Sequence, residues 1–208
     1  MKKYSYIGVA FIILIFGIYT VPKVVNRFKT TTLITIGKVP PFEFTNQNGI
    51  LISNSFYKNK VYVIEFFFTT CPTICPIMNK NMATIQNEFY GNLDFGIASF
   101  SINPEYDTPQ ILKEYAKKNG ATWANWNFLT GDKETIYAFA NKGIALYAGE
   151  NSAAEGGFEH SGMFALVDKN GHIRSRLDEF GNPIAFYDGL DTKNILMLKE
   201  DIKTLLKE

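Results

Sequence analysis

The feature that most constrains the fold is a run of β-branched and aromatic residues, VYVIEFFF, at residues 61–68, which is broken only by Glu65. Glu65 is the only charged residue in the run. A half-buried strand would alternate apolar and polar side chains, so this run predicts a central strand that is covered on both faces. A helix is predicted directly after it, because Pro76 suits a first turn and Met78 and Met82 begin an apolar stripe at helical spacing.

The rest of the chain alternates between strand and helix patterns. Hairpins are predicted where Asn-Gly turn chemistry separates two apolar runs, at residues 42–52 and 163–177. The other predicted elements are a first strand within 30–41, a strand at 93–102, a helix at 107–120 capped by Thr108 or Asp107, a helix at about 133–142 capped by Asp132, and a final amphipathic helix at about 192–208. This order predicts an α/β fold with helices on both faces of the sheet.

The N-terminal 29 residues predict a membrane anchor and juxtamembrane segment, followed by one folded domain at 30–208. Residues 4–22 carry no charge and would extend roughly 28 Å as a helix, close to the ~30 Å hydrocarbon core of a bilayer. A cleaved signal peptide is the alternative, but the segment TVPKVVNRF offers no good cleavage site. Basic residues flank the apolar run on both sides, so the charges do not decide its orientation.

The charge and the cysteine count narrow the possible functions. A net charge of +1 with no basic stripe argues against nucleic-acid binding. The two cysteines of the chain, Cys71 and Cys75, are too few for a disulfide scaffold, so they form a local thiol pair of the redox-active or metal-binding kind. They stand where the buried strand gives way to a helix, which is the sheet edge where open α/β folds place their ligands.

The spacing of the two cysteines distinguishes between chemistries. Three residues separate them, whereas a thioredoxin-type reductase has two. Phe68 stands three positions before Cys71, where a peroxiredoxin-type peroxidase would have a threonine. Two sulfurs four residues apart on a helical turn lie close enough to form a disulfide or to bind one soft ion. A pair of inert buried cysteines is the alternative, which the two flanking prolines disfavour.

The stretch FFFTTCPTICPIM resembles the copper-binding motif of the Sco/SenC family of copper chaperones, which has the form CxxxCP. Four further segments are similar to that family in the family's order: VPPFEFTNQNG, SINPEYDTPQILKEYAKKNG, WNFLTGDKETI and FEHSGMFALVDKNGHI. Together they span about 39–173. The resemblance implies a thioredoxin-like sheet with flanking helices and a copper site of two thiolates and one imidazole. It also implies a domain outside the cytoplasm that helps to build the CuA centre of cytochrome c oxidase subunit II.

The resemblance assigns the imidazole to His160, because the segment that contains it looks like the one carrying the family's metal-binding histidine. His172, the other histidine, follows a hairpin turn and is interpreted as a solvated side chain. Met78 and Met82 are interpreted as core residues rather than additional copper ligands. Glu105 and Asp107 are interpreted as capping residues, with a docking role as the alternative.

Three functions remain compatible with the sequence. The first is a copper chaperone that binds the ion through Cys71, Cys75 and His160 and delivers it to subunit II, with another copper carrier or a thiol reductant as a further partner. The second is a thiol–disulfide oxidoreductase in which Cys71 attacks a disulfide of the partner and Cys75 resolves the mixed disulfide. The third is a copper or redox sensor.

The loop at 181–189 is interpreted as a surface excursion, with a partner contact as the alternative.

Overall fold

The computed structural model describes residues 5–28, 32–154 and 156–208, and the side chains of residues 5–7 and 22–28 lie outside that description. Helix α1 (Ser5–Phe28) belongs to one compact unit, and the folded domain that begins at Thr32 is the other. Among the residues described, no helix combines the length and the apolar composition that crossing a membrane requires. The basic side chains on which the orientation argument depended also lie outside the description, namely Lys2, Lys3, Lys23, Arg27 and Lys29.

Nine of the strands described in the domain form one mixed sheet, and two more form a separate hairpin. In chain order the strands are β1 (Leu33–Lys38), β2 (Glu43–Asn46), β3 (Leu51–Ser53), β4 (Val61–Phe67), β5 (Phe95–Ser101), β6 (Trp126–Thr130), β7 (Ala148–Glu150), β8 (Phe158–His160), β9 (Met163–Val167), β10 (His172–Arg176) and β11 (Tyr187–Asp188). The helices of the domain are α2 (Cys75–Phe89), α3 (Pro109–Lys118), α4 (Lys133–Ala138) and α5 (Thr192–Lys207).

The predicted central strand lies in the middle of the sheet. The strand order is β1-β10-β9-β4-β5-β6-β2-β3, with β11 paired to β9. Within the described residues, β7 and β8 pair only with each other. β4, β5 and β6 run parallel, and α2 and α3 connect them, whereas β9 runs antiparallel to β4. Every residue of β4 is buried, as the apolar run predicted. The carboxyl ends of β4 and β5 therefore meet at one edge of the sheet.

Helices cover both faces of the sheet, which confirms the predicted α/β class. The Phe67 ring stacks on Tyr115 of α3 at 5.3 Å, whereas the neighbouring Phe66 packs against Phe139, which follows α4, at 6.2 Å. Consecutive residues of a strand point to opposite faces, so these two contacts define the two layers. α2 lies beside α3, since Asn79 donates a hydrogen bond to the Tyr115 hydroxyl at 3.0 Å. α5 packs against β4 and α2 on the same face.

The helix caps agree with the sequence except in one detail. The Thr108 hydroxyl accepts a hydrogen bond from the Ile111 N–H, and the Asp132 carboxylate accepts one from the Thr135 N–H at 2.8 Å. Asp107 does not cap α3. Glu105 does not cap it either, because its exposed carboxylate lies 3.6 Å from Lys133 Nζ. The interpretation of Glu105 and Asp107 as capping residues is therefore wrong.

The third predicted helix and several strands differ from the sequence-based expectation. α4 ends at Ala138 and continues as a π-helical turn, Phe139–Ile144. Just after this turn, the Leu146 N–H donates to the Ala140 carbonyl at 3.0 Å. The wider turn ends at Ala145, whose φ of 64° lies in the left-handed region. Strands β6, β7, β8 and β11 were not predicted. They have two to five residues each, which is too short for a clear periodic pattern.

Candidate metal centre

The two cysteines lie in and just after a loop that joins β4 to α2. α2 begins at Cys75, with Pro76 in its first turn, so Cys71 lies before the helix rather than inside its first turn. Cys71 N–H donates a hydrogen bond to the Phe68 carbonyl at 3.2 Å, which folds the loop back onto the end of β4. Both cysteines are free, with no disulfide between them. Cys75 is fully buried, whereas 9% of Cys71 is exposed, so a partner reaches Cys71 first.

A buried carboxylate in the turn between β5 and α3 holds the loop in place. Asp107 accepts hydrogen bonds from the Thr69 backbone N–H at 3.0 Å and from the Ser101 hydroxyl at 2.5 Å. It also accepts one from the Thr69 hydroxyl. Thr69 is two residues before Cys71, so Asp107 fixes the cysteine loop against the end of β5. Sequence reasoning missed this role, because Asp107 and Thr69 are 38 residues apart in the chain.

His160 approaches the cysteines from the β7–β8 hairpin. It is the last residue of β8, and its Nε2 lies 3.1 Å from Cys75 Sγ. Its Nδ1 lies 3.0 Å from the Ser161 carbonyl oxygen, which only accepts, so Nδ1 carries the proton. Nε2 therefore presents its lone pair to the thiol pair. His160 therefore stands at the end of a short strand that the sequence did not predict.

The hairpin that carries His160 is held by polar contacts at both ends of β7. Asn141 makes two hydrogen bonds to the backbone of Ala148, at 2.7 Å and 3.0 Å. Lys133 forms an ion pair with Glu150 of β7 and lies 3.6 Å from Glu105. These contacts position a hairpin that has no hydrogen-bonded strand neighbour in the main sheet.

The ligand atoms of the three residues form one compact group. Cys71, Cys75 and His160 each place a ligand atom within 4.8 Å of the other two, and all three residues are buried. In the described part of the chain, no other Cys, His, Asp or Glu belongs to this group. His172 lies elsewhere, with its Nδ1 3.5 Å from Asp168, and is partly exposed, in agreement with the sequence interpretation. Met78 and Met82 are fully buried in the core, as predicted.

The two sulfurs differ in their affinity for protons. A hydrogen bond from the Cys75 thiol lowers the pKa of Cys71 well below the usual thiol range, and the Cys75 backbone N–H, 3.4 Å from Cys71 Sγ, acts in the same direction. The same hydrogen bond, together with burial, raises the pKa of Cys75. Cys71 is therefore the thiolate of the pair and the stronger nucleophile. Cys75 remains a thiol, and it donates its single proton to Cys71.

A small cleft opens onto the site. It has a volume of about 310 Å³, and its lining includes Cys71, His160, Phe158 and Phe68. The Phe68 ring meets the His160 imidazole edge to face at 5.9 Å and lies 5.3 Å from the Phe158 ring. Of the two cysteines, Cys71 lines this cleft and Cys75 does not.

The loop at 181–189 is not wholly a surface excursion. Its end forms β11, in which Tyr187 pairs with Phe164 of β9. Tyr187 is buried, and its hydroxyl donates to Asp201 at 2.6 Å. Phe180, which immediately precedes this loop, is 80% exposed.

Comparisons with known proteins identify the family. The sequence model of the SCO1/SenC family matches residues 34–193. A "SCO1 protein homolog" of Bacillus subtilis (strain 168) is 36% identical over 138 residues, which is 65% of this chain and 71% of the relative.

Two solved structures have the same architecture. A SCO1/SenC family lipoprotein from Bacillus anthracis str. Ames has a TM-score of 0.71 and 32% identity, over 81% of this chain and 95% of the other. BsSco, described as a member of the Sco family of cytochrome c oxidase assembly proteins with a disulfide switch, has a TM-score of 0.71 and 29% identity, over 86% and 98%. The resemblance noted from the sequence is confirmed, and the domain has the thioredoxin-like α/β fold. The chain belongs to the SCO1/SenC family.

Proposed function

We propose that residues 30–208 form a copper chaperone that binds the ion through Cys71, Cys75 and His160. The observation that carries this proposal is the meeting of two sulfurs and one imidazole nitrogen within 4.8 Å. Cu(I) is a soft ion that accepts thiolate and imidazole ligands, whereas hard cations would need oxygen ligands. The Nδ1–H of His160 donates to a carbonyl oxygen, so the imidazole is already in the tautomer whose Nε2 can bind a metal ion.

The same three ligands suit a metal ion that is passed on to another protein better than one that is bound permanently. A structural zinc site normally has four protein ligands, and this group has three. A three-ligand site leaves the ion open to a ligand from another protein. Since Cys71 lies at the cleft and Cys75 is fully buried, an incoming ligand would meet the ion on the side of Cys71.

We infer that the recipient is the CuA centre of cytochrome c oxidase subunit II. The naming of BsSco as a cytochrome c oxidase assembly protein supports an oxidase as the partner. The choice of subunit II as the recipient rests on the resemblance of the CxxxCP segment to the copper-binding motif of the Sco/SenC family. The copper itself would come from another copper carrier, and a thiol reductant would keep the cysteines reduced.

The test is an anaerobic Cu(I) titration of the reduced full-length chain in mild detergent, in competition with a Cu(I) chelator. We expect one tight equivalent. Cys71→Ser and Cys75→Ser should each abolish tight binding, and His160→Ala should weaken it by about 10- to 100-fold. His172→Ala is the matched control and should bind like the wild type. Tight binding by either serine variant would contradict the proposed ligand set.

Thiol–disulfide exchange is the second candidate function, and the asymmetry of the two sulfurs favours it. The Cys71 thiolate would attack a partner disulfide to give a mixed disulfide. Cys75 would then attack Cys71, which releases the partner as a dithiol and leaves a Cys71–Cys75 disulfide. The disulfide switch reported for BsSco supports this use of the pair. His160→Ala separates the functions, because copper binding needs the imidazole and disulfide exchange does not.

We also propose that residues 1–29 anchor the domain to a membrane, with the domain on the extracytoplasmic side. The uncharged run at 4–22 supports an anchor, and the Bacillus anthracis relative is described as a lipoprotein. No cysteine lies near this segment to carry a lipid, so the attachment would be through the peptide itself. An alkaline carbonate wash should leave the chain in the membrane fraction, and alkaline phosphatase fused after Glu208 should be active. Release by carbonate would overturn the anchor.

A further inference from the structure

A second cavity opens at the end of the sheet opposite the cysteines. It has a volume of about 740 Å³, which is in the range of small-molecule sites. Its lining comes from the turn after β1, the segment before β4, the first half of β4 and the β9–β10 turn. Cys71 follows the other end of β4, and the seven residues of that strand extend about 20 Å. The cavity is therefore separate from the proposed copper site.

Tyr62 of β4 is a buried polar residue that faces this cavity. Only 2% of the residue is exposed, and its ring stacks on Tyr57 at 4.5 Å. The Tyr57 hydroxyl donates to the Ile97 carbonyl oxygen at 2.9 Å, whereas the Tyr62 hydroxyl has no hydrogen-bond partner among the described residues. A buried hydroxyl normally finds a partner, so this one is available to a molecule in the cavity. Water would satisfy it as well, so the charge of the lining decides which ligand the cavity suits.

The charged side chains that line the cavity are all lysines. Lys38 and Lys58 are exposed, and neither forms a salt bridge within the part of the chain that the structure describes. Lys169 is the third, and its Nζ donates to the Leu206 carbonyl oxygen at 3.0 Å. Like charges that surround one cavity attract an anion into it.

The acid next to this lining does not cancel the positive charge. Asp168 pairs with Arg174 at 2.9 Å and accepts the backbone N–H groups of Asn170 and His172, each at 2.9 Å. Its carboxylate is therefore already neutralised and hydrogen-bonded. Burial, and then the charge of Asp168, raise the pKa of Tyr62, so the hydroxyl keeps its proton at neutral pH and can donate it to an anion.

We propose that this cavity binds a small organic phosphate monoester. Lys38 and Lys58 hold the phosphate as point charges, and the Tyr62 hydroxyl donates a hydrogen bond to one of its oxygens. The organic part of the ligand packs against Pro40 and Pro41, which line the same cavity. A phosphate monoester is close to a dianion at neutral pH, which matches more than one ammonium group. Inorganic phosphate has the charge but no apolar part to fill the cavity.

The test is isothermal titration calorimetry of the full-length chain in mild detergent and phosphate-free buffer, with phenyl phosphate as the probe. We expect saturable binding with a Kd of about 1 mM or lower, which weakens as salt is added. Benzyl alcohol, which has a similar ring without the charge, should bind far more weakly. Equal binding of the two probes would show only an apolar cavity and would overturn the proposal, as would no binding of phenyl phosphate at all.

Tyr62→Phe is the most specific variant, because it removes one oxygen atom and no hydrogen bond within the described structure. It should weaken the binding of phenyl phosphate about tenfold, whereas urea unfolding should show no loss of stability. Wild-type affinity in this variant would overturn the assignment of the hydroxyl.

Lys38→Gln and Lys58→Gln test the charge at two exposed positions, where substitution does not disturb the core. Each should weaken binding by about three- to tenfold and reduce its salt dependence. Lys118→Gln, an exposed lysine at the end of α3 outside the cavity lining, is the matched control and should bind as the wild type does. An equal loss in all three variants would indicate a general charge effect and would overturn the site.

A further probe distinguishes a soluble phosphate from a lipid headgroup. Dihexanoylphosphatidylglycerol is a soluble lipid with a phosphate diester, and it should compete poorly with phenyl phosphate. Competition as strong as that of unlabelled phenyl phosphate itself would assign the cavity to lipid headgroups and would overturn the choice of a monoester.

The outcomes separate this proposal from the proposed function. Tyr62→Phe should bind Cu(I) as the wild type does, because the cavity and the cysteines lie at opposite ends of β4. A wild-type chain that binds Cu(I) but not phenyl phosphate would defeat this inference alone. A chain that binds phenyl phosphate but not Cu(I) would defeat the proposed function and support the cavity.

Discussion

Asp107→Ala tests whether one buried carboxylate determines the position of the cysteine loop. Asp107 is fully buried and accepts three hydrogen bonds, from the Thr69 backbone N–H, the Thr69 hydroxyl and the Ser101 hydroxyl. Ser101 also accepts a hydrogen bond from the Asn103 N–H at 3.1 Å, so the network continues into the turn before α3. Loss of the carboxylate leaves Thr69 N–H and the two hydroxyls without their acceptor.

The size of the effect follows from the number and kind of these bonds. A hydrogen bond to a charged group contributes about 1.5–3 kcal/mol, and losses within one network are not additive. We therefore expect Asp107→Ala to lower the free energy of unfolding by about 3–5 kcal/mol, near the upper end for single substitutions. Asp107→Asn keeps one oxygen acceptor and should cost about 2 kcal/mol. For a domain of this size, the alanine variant should lose on the order of 10 °C in Tm.

Urea unfolding followed by circular dichroism measures the stability, with Glu105→Gln as the control because Glu105 is an exposed side chain of the same turn. A Cu(I) competition titration measures the consequence for the site. Asp107→Asn should bind Cu(I) about tenfold more weakly, in the range seen when groups that orient metal ligands are removed. The reasoning is refuted if Asp107→Ala loses less than about 1 kcal/mol, or if Asp107→Asn binds Cu(I) as the wild type does.

Three further predictions concern the hairpin, the histidines and pH. Gly156→Ala should destabilise the chain by about 1 kcal/mol more than Gly157→Ala in urea unfolding. Both glycines have positive φ, but only at residue 156 would an added Cβ lie 2.8 Å from an aromatic ring, so equal losses of stability would contradict this reasoning. His160→Ala should leave the rate of disulfide exchange with a model dithiol nearly unchanged, as should His172→Ala, and an equal loss of copper binding and exchange in the first variant would argue against separate roles. Because burial raises the pKa of Glu65 to about 7, the folded state binds more protons than the unfolded state between about pH 4.3 and pH 7. The free energy of unfolding of the wild type should therefore fall by a few kcal/mol as the pH rises through that window, whereas Glu65→Gln should show a flatter curve in urea unfolding at pH 5 and pH 8.

Local patterns were sufficient to predict most of the elements. The apolar run at 61–68 predicted β4, and the caps at Thr108 and Asp132 predicted the starts of α3 and α4. Each of these signals depends on residues within a few positions of one another. The π-helical turn after α4 and the short strands β7, β8 and β11 gave no such signal, because contacts between distant segments stabilise them.

The candidate site also combines features that local sequence patterns predicted with features that depend on contacts between distant segments. The sequence identified Cys71 and Cys75 as a pair because they are neighbours in the chain. His160 was assigned through the likeness of its segment to a known family, and the structure brings its Nε2 to 3.1 Å from Cys75 across 85 residues. Asp107 was misinterpreted as a cap, since its partner Thr69 is adjacent only in space.

The sequence by itself determined the α/β class, the thiol pair at a strand-to-helix junction and the family to which the chain belongs. These properties are encoded in periodicity, turn chemistry and local spacing. The tertiary structure alone decided that Cys71 lines the cleft whereas Cys75 is fully buried, and that His160 presents Nε2 to the sulfurs. It also decided that Glu65 is buried with one oxygen that has no partner among the described residues. Burial and electrostatic interactions depend on which distant segments pack together, so no local sequence pattern predicts them.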